Sequence, residues 1–265
     1  MINVIVFSKD RACQLDLFLR SYHLMIGNPQ PTCLIRSTTE RYQQGYDLLR
    51  SRFPSARYIP GVDLKTDILS TVDPSKPLTV FFCDDCIINR PFRFDSLECD
   101  YFLSHAKILC YSLRLFPNVR RAYTDGGRPL ASPRLDDHLC YEWRGCDNDW
   151  GYPMSVDSHV FRTADILPQL RAIPYSSPTS LESQLTHNPL PMSLMMVVAE
   201  QIAYNIPQNT TQTEWDGNRE VPRGLPLVEL NTAYLDGWEI NLDPLINYEG
   251  DQCFRDVVYA LRLKT

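Results

Sequence analysis

Ile2 to Phe7 form an apolar run that opens at once onto Ser8-Lys9-Asp10-Arg11, the pattern of a strand covered on both faces. Leu15, Phe18, Leu19, Tyr22 and Met25 then recur at helical spacing until Gly27-Asn28-Pro29 stops them. Cys33-Leu34-Ile35 reads as a second strand. Tyr42, Tyr46, Leu49 and Phe53 recur at intervals near four, predicting a helix that ends before Pro54. Ala56 to Ile59 predicts a third strand, Asp63 to Ser70 a short helix, and Leu78 to Cys83 a fourth strand. Such alternation predicts an α/β fold with a doubly wound, mostly parallel sheet. Ligands of such sheets collect at the carboxyl ends of the strands. Ser8–Arg11, Arg36–Thr38 and Asp84–Asp85 are therefore expected along one rim.

The second half is less regular. Ile108 to Leu115 reads as a strand, and residues 117–138 as a polar stretch rich in Arg, Asp, Gly and Pro. A strand is expected from Ser155 to Phe161, helices from Thr163 to Ala172 and Thr179 to His187, and a last strand from Asp256 to Leu263. The chain of 265 residues is read as one domain, with 1–106 as one half and 107–265 as the other.

Hydrophobic content of 44% supplies a sizeable core. A net charge of −6 without a long basic run argues against sequence-independent nucleic-acid binding. A polyanionic ligand then needs local Lys and Arg, or a metal. The start lacks the signature of a signal peptide and no apolar span is long enough to cross a bilayer, so a soluble, cytoplasmic protein is expected. The nine cysteines are odd in number, several within apolar runs, and are expected as reduced thiols. Cys83 and Cys86 form a C-x-x-C, but the paired acids between them disfavour a redox centre.

The densest chemistry lies at Thr79-Val80-Phe81-Phe82-Cys83-Asp84-Asp85-Cys86. Carboxylates avoid the interior unless paired or bound to a cation. Two of them ending a buried strand make either a solvated turn or a site for Mg²⁺ or Mn²⁺. The glycine-rich dinucleotide and P-loop signatures, the nucleophile elbow and the zincin motif are all absent, and Gly totals 11. Asp10 reads locally as a helix N-cap, and Thr179-x-x-Glu182 as a capping box. Arg36 is an ordinary surface arginine or a phosphate contact. His159 and His187 are structural or lie near a metal, and Trp143 and Trp150 are core or sugar-stacking rings. Asn209-Thr210-Thr211 is a glycosylation sequon, expected to stay unmodified without a secretory signal.

Ile5-Val6-Phe7-Ser8-Lys9-Asp10-Arg11-x-x-Gln14-Leu15, Arg36-Ser37-Thr38 and Asp84-Asp85 resemble the nucleotide-sugar glycosyltransferases of the GT-A fold, family 2-like. Trp150-Gly151-Tyr152-Pro153 through Arg162 is similar to the acceptor-side strand of that family. Leu230-Asn231-x-x-Tyr234-Leu235-x-Gly237 resembles a segment of uncharacterised bacterial and viral members. One departure stands out: the aspartates are adjacent, where the family has Asp-x-Asp. The resemblance implies that Asp85, with Asp84, binds Mn²⁺ or Mg²⁺ and that Asp84 meets the ribose or a metal-bound water. Ser8, Lys9, Asp10, Arg11 and Arg36 would contact the nucleotide, and Glu182 or Asp157 would serve as the catalytic carboxylate. The implied activity is transfer of a hexose from a UDP-linked donor to a saccharide or lipid-linked acceptor. A sugar-phosphate nucleotidyltransferase and a non-catalytic nucleotide- or sugar-binding module are the alternatives.

Overall fold

The computed structural model describes residues 2–214 and 224–264. Its first half runs β1 (Ile2–Lys9), α1 (Ala12–Met25), β2 (Thr32–Arg36), α2 (Glu40–Arg52), β3 (Arg57–Pro60), α3 (Leu64–Thr71), β4 (Leu78–Cys83), β5 (Cys86–Ile88) and α4 (Leu97–Ser104). The second half adds β6 (Ile108–Ser112), the two-residue strands β7 (Arg121–Ala122) and β8 (Arg128–Pro129), β9 (Cys140–Glu142), β10 (His159–Arg162), α5 (Thr163–Ala172) and α6 (Pro178–His187). It closes with β11 (Leu194–Val197), β12 (Ala203–Asn205), α7 (Leu227–Leu235), β13 (Trp238–Ile240) and β14 (Leu261–Leu263). Among the described residues no helix is long and apolar enough to cross a membrane.

The central sheet has eight strands in the order β3-β2-β1-β4-β10-β6-β11-β9. From β3 to β4 every neighbour is parallel, and β6 pairs parallel with β11. β10 runs antiparallel between β4 and β6, and β9 antiparallel on the far edge. The mostly parallel expectation holds, with β10 a reversed strand that ties the two halves into one sheet.

Strand order explains the layers. Stepping from β1 to β2 to β3 by right-handed crossovers puts α1 and α2 on one face, and the return to β4 puts α3 on the other. In keeping with this, α1 packs against α2 and α7, and α3 against α5. β1 and β4 lie between these layers, so their side chains are buried on both faces. Phe7 stacks on Phe81 with centroids 5.8 Å apart, and Phe18 lies 5.3 Å from Phe82. The crevice at the carboxyl ends of β1 and β4, where the strand order reverses, is where such sheets place ligands.

Several expected boundaries move for local reasons. β6 stops at Ser112 because its hydroxyl accepts from the Leu115 amide at 3.0 Å, closing a turn. The strand expected from Ser155 begins at His159, since Asp157 donates back to Ser155 Oγ and Ser158 sits at φ 61°. The tail pairs only over Leu261–Leu263, against β13. The helix cap expected at Asp10 falls one residue later, on Arg11. Asp10 takes φ 61°, a conformation a short polar side chain tolerates when it bonds locally. At α6 the cap is Ser177 with Ser180 and Pro178 opens the helix, so the expected Thr179–Glu182 box does not form.

Candidate donor-binding rim and metal centre

The parallel register sets Lys9 beside Arg36 and Phe7 beside Cys83, bringing the three predicted rim segments to one edge. Asp10 is buried there. Its carboxylate accepts from the Thr38 amide at 2.7 Å and the Thr38 hydroxyl at 2.8 Å, fastening the β1 turn to the β2 turn. Ser8 Oγ lies 2.7 Å from Tyr46 Oη, which also accepts from the Arg11 amide. Arg36 is exposed and Lys9 half-buried.

The adjacent aspartates part company. Asp84 is fully buried and pairs with Arg11 through Oδ1. Asp85, with 15% of its side chain exposed, receives the other arm of Arg11 at 3.1 Å. Burial pushes the Asp84 carboxyl upward, against the pull of Arg11. Asn205, at the end of β12, donates through Nδ2 to Asp85 at 2.8 Å and to Asp157 at 2.5 Å. Asp157 also accepts from the Cys83 amide at 3.2 Å. Burial, with Asp85 adding repulsion, pushes the Asp157 carboxyl up to about 6 although Arg114 opposes the shift.

Ligand atoms of Cys83, Asp85 and Asp157 lie within 4.8 Å of one another. The Asn205 amide that bridges the two carboxylates leaves its buried Oδ1 without a hydrogen-bond partner. Two carboxylates and a thiol around one point suit a divalent cation. Asp84 is not in this group: its side chain is turned to Arg11.

Beside the cluster, Glu182 accepts from the Val156 amide at 3.0 Å. Arg114, 5% exposed, lies 3.6 Å from Asp149, and its charge acts on both Asp157 and Glu182. His159 is buried against the Pro153 carbonyl, and burial with the nearby Arg114 drives its pKa down to about 3. It is outside the ligand cluster, as is His187, which bonds the Ser183 carbonyl of its own helix. Trp150 is core, donating to the Val119 carbonyl, and half-buried Trp143 donates to Met192. Asn231 and Tyr234 bond Arg41 and Asp16, so that segment fastens α7 to α2 and α1.

Residues 205–211 cross over the rim. The Ile206 amide bonds the Asp85 carbonyl, Tyr259 Oη donates to Ile206, Arg11 reaches Gln208, and Lys9 Nζ donates to Thr211 at 3.0 Å. The sequon residue Asn209 bonds Gln14 and Leu225 in the same cover. A cavity of about 350 Å³ lined by Tyr101, His105, Asp136, Cys140 and Leu194 opens at the opposite end of β6, and among the described residues its acid and thiol belong to no cluster of three ligand groups.

Asn205, Cys83 and Arg114 were not singled out for the site from sequence. Their signals were present. Asn205 and Arg114 are polar interruptions in apolar runs, and Cys83 stands two residues before Asp85.

No family model matches this chain. Among solved structures, the Mannosyltransferase PcManGT from Pyrobaculum calidifontis in complex with GDP-Man and Mn²⁺ overlaps 78% of this chain and 57% of its own at 12% identity and TM-score 0.47. A cytidylyltransferase from Leptospira borgpetersenii serovar Hardjo-bovis overlaps 76% of each chain at 13% identity and TM-score 0.44. Both are partial overlaps. By sequence, the chain is 26% identical over 187 residues to the Bifunctional glycosyltransferase pgtA of Dictyostelium discoideum, a match to 62% of this chain and 24% of the relative. This chain therefore aligns with about a quarter of that relative's length, and that sequence match is what relates it to the glycosyltransferases.

Proposed function

We propose that this chain is a metal-dependent glycosyltransferase that moves a hexose from a nucleoside diphosphate sugar, UDP-linked, to a saccharide or lipid-linked acceptor. The observation that carries the reading is the convergence of Cys83, Asp85 and Asp157 at the switch point of the sheet. The sequence relative supports the reaction class.

Asp85 and Asp157 are the carboxylates that would hold Mn²⁺ or Mg²⁺, and the cation supplies neutralisation of charge on a departing diphosphate. Arg11 clamps Asp84 and Asp85, fixing the direction of the second carboxylate. Lys9 and Arg36 supply positive charge at the edge where the phosphates would lie. Asp10, engaged by Thr38, shapes the floor beneath the nucleoside. With Asp157 among the ligands, Glu182 is the carboxylate left to take a proton from the acceptor hydroxyl, oriented by the Val156 amide.

Hydrolysis of UDP-glucose in Mn²⁺ is the direct assay. Turnover is expected in the wild type and a loss of roughly 10²-fold or more in Asp85→Ala, on the scale of removing a group that stabilises transition-state charge. Pyrophosphate release from UTP and a sugar phosphate would instead identify a nucleotidyltransferase. Donor binding without turnover in the presence of acceptor panels would identify a binding module.

A further inference from the structure

We propose that Cys83 is itself a metal ligand, so that the rim holds its cation through one sulfur and two carboxylates and prefers thiophilic ions such as Zn²⁺, Cd²⁺ and Co²⁺ to Mg²⁺. This rests on the reading of the rim as a metal-dependent donor site and names the class of ion that site takes.

The end of β4 supplies the first argument. The strand stops at Cys83, and Asp84 and Asp85 form the turn that carries the chain into β5. Asp84 is turned inward to Arg11, whereas Cys83 and Asp85, the second of which Arg11 also reaches, bring ligand atoms to the same place as Asp157. The family spacing of two acids is thus kept across this strand end, with sulfur in place of the first carboxylate.

The second argument is the amide that bridges the two acids. Asn205 is 2% exposed, bonds both carboxylates through Nδ2, and leaves Oδ1 without a partner. Half a turn about the amide exchanges Oδ1 with Nδ2 and turns the oxygen toward Asp85 and Asp157, where it would serve a cation as a fourth donor, the one neutral member of the set. A buried polar atom without a partner is costly, which marks this amide as unsettled.

The donor set then decides the ion. Mg²⁺ demands near-octahedral oxygen and parts reluctantly with water, so a sulfur in its shell is unfavourable. Thiolate ligands suit the later transition metals and group 12 ions. On coordination the Cys83 S–H bond breaks, its proton passes to buffer, and a sulfur–metal bond forms. No oxidant is needed. Cys86, the other member of the C-x-x-C, lies 3.4 Å from Ser158 Oγ and is outside the ligand group.

Cobalt(II) titration of the reduced chain tests this. An intense thiolate-to-cobalt charge-transfer band is expected, saturating at one equivalent. It should vanish in Cys83→Ser and in Asp157→Asn, the second variant separating this site from the other thiols. In Cys83→Asp the band should also vanish while Mn²⁺ binding persists, and Cd²⁺ affinity should fall at least about tenfold relative to Mn²⁺. A band that survives Cys83→Ser overturns the proposal. Tight Mn²⁺-dependent binding of a nucleotide sugar with no thiolate band overturns the ligand role of Cys83 but leaves the glycosyltransferase reading standing. Absence of any metal or nucleotide binding overturns both.

Discussion

Asp84 and Asp85 are neighbours with opposite duties, and substitution separates them. Asp84 is fully buried against Arg11, so Asp84→Ala takes the buried counter-charge from a buried guanidinium and leaves it only the longer contact with Asp85. Removing one partner of such a pair costs on the order of 3–5 kcal/mol. For a chain of this size, a cost of that scale lowers the melting temperature by roughly 6–20 °C. A thermal melt should show that loss for Asp84→Ala. Asp85→Asn keeps the hydrogen-bonding shape, leaves Arg11 paired with Asp84, and should melt within a few degrees of wild type while losing metal affinity. Equal melting temperatures for the two variants would contradict the division of labour.

At the scale of elements, the approach of α2 to α1 and α7 depends on Gly45. A Cβ there would stand 2.6 Å from Asn231 Oδ1 and 3.0 Å from the Ala12 Cβ. Asn231 is itself buried and held to the Arg41 carbonyl, so it has little room to retreat. Gly45→Ala is expected to destabilise by about 1–3 kcal/mol through overpacking, despite the better helix propensity of Ala. Urea unfolding with an unchanged slope and a lower midpoint would register it.

Elements were also where sequence reading worked best. Apolar patterns with sharp polar, Gly or Pro boundaries, as at Ile2–Phe7 before Ser8-Lys9-Asp10, Leu78–Cys83 after Pro77 and Leu15–Met25 before Gly27-Asn28-Pro29, fix a period and a boundary together. The rim followed from them, because parallel strands bring Arg11, Thr38 and Asp85 to one edge whatever their distance in sequence. The second half was harder. β9, β11, β12 and β13 have three or four residues each and carry no periodicity of their own. Cap positions were misread where backbone torsion decided them, as at Asp10, or where proline did, as at Pro178. Asp157 and Asn205 converge on Asp85 through tertiary contacts that no local spacing encodes.

At the scale of the molecule, α1, α2, β13 and β14 are joined by one buried ion network. Asp16 receives Arg20 at 2.7 Å and Arg52 at 2.6 Å, and Glu239 receives Arg52 at 2.5 Å and Arg262 at 2.8 Å. Burial favours a neutral Glu239, but the hydrogen bonds from Arg262 and Arg52 outweigh it and hold the carboxyl below its usual 4.5. With the folded value depressed, the unfolded chain binds the proton first as acid is added. The stabilisation from Glu239 is therefore full above about pH 4.5 and is lost as pH falls through the folded value. Melting temperatures measured between pH 6 and pH 3 should fall more steeply in wild type than in Glu239→Gln. Parallel curves for the two would remove this carboxylate from the acid response.

β10 is threaded between β4 and β6, so the carboxylate at position 157 reaches Asp85 from the other half of the polypeptide. A chain cut between residues 106 and 107 yields two pieces, neither of which carries a whole centre. Expressed singly, each should fail to retain metal on a chelating-resin challenge. Produced together, they should reassemble and recover it, which would make this scaffold a split reporter whose signal depends on the two pieces meeting.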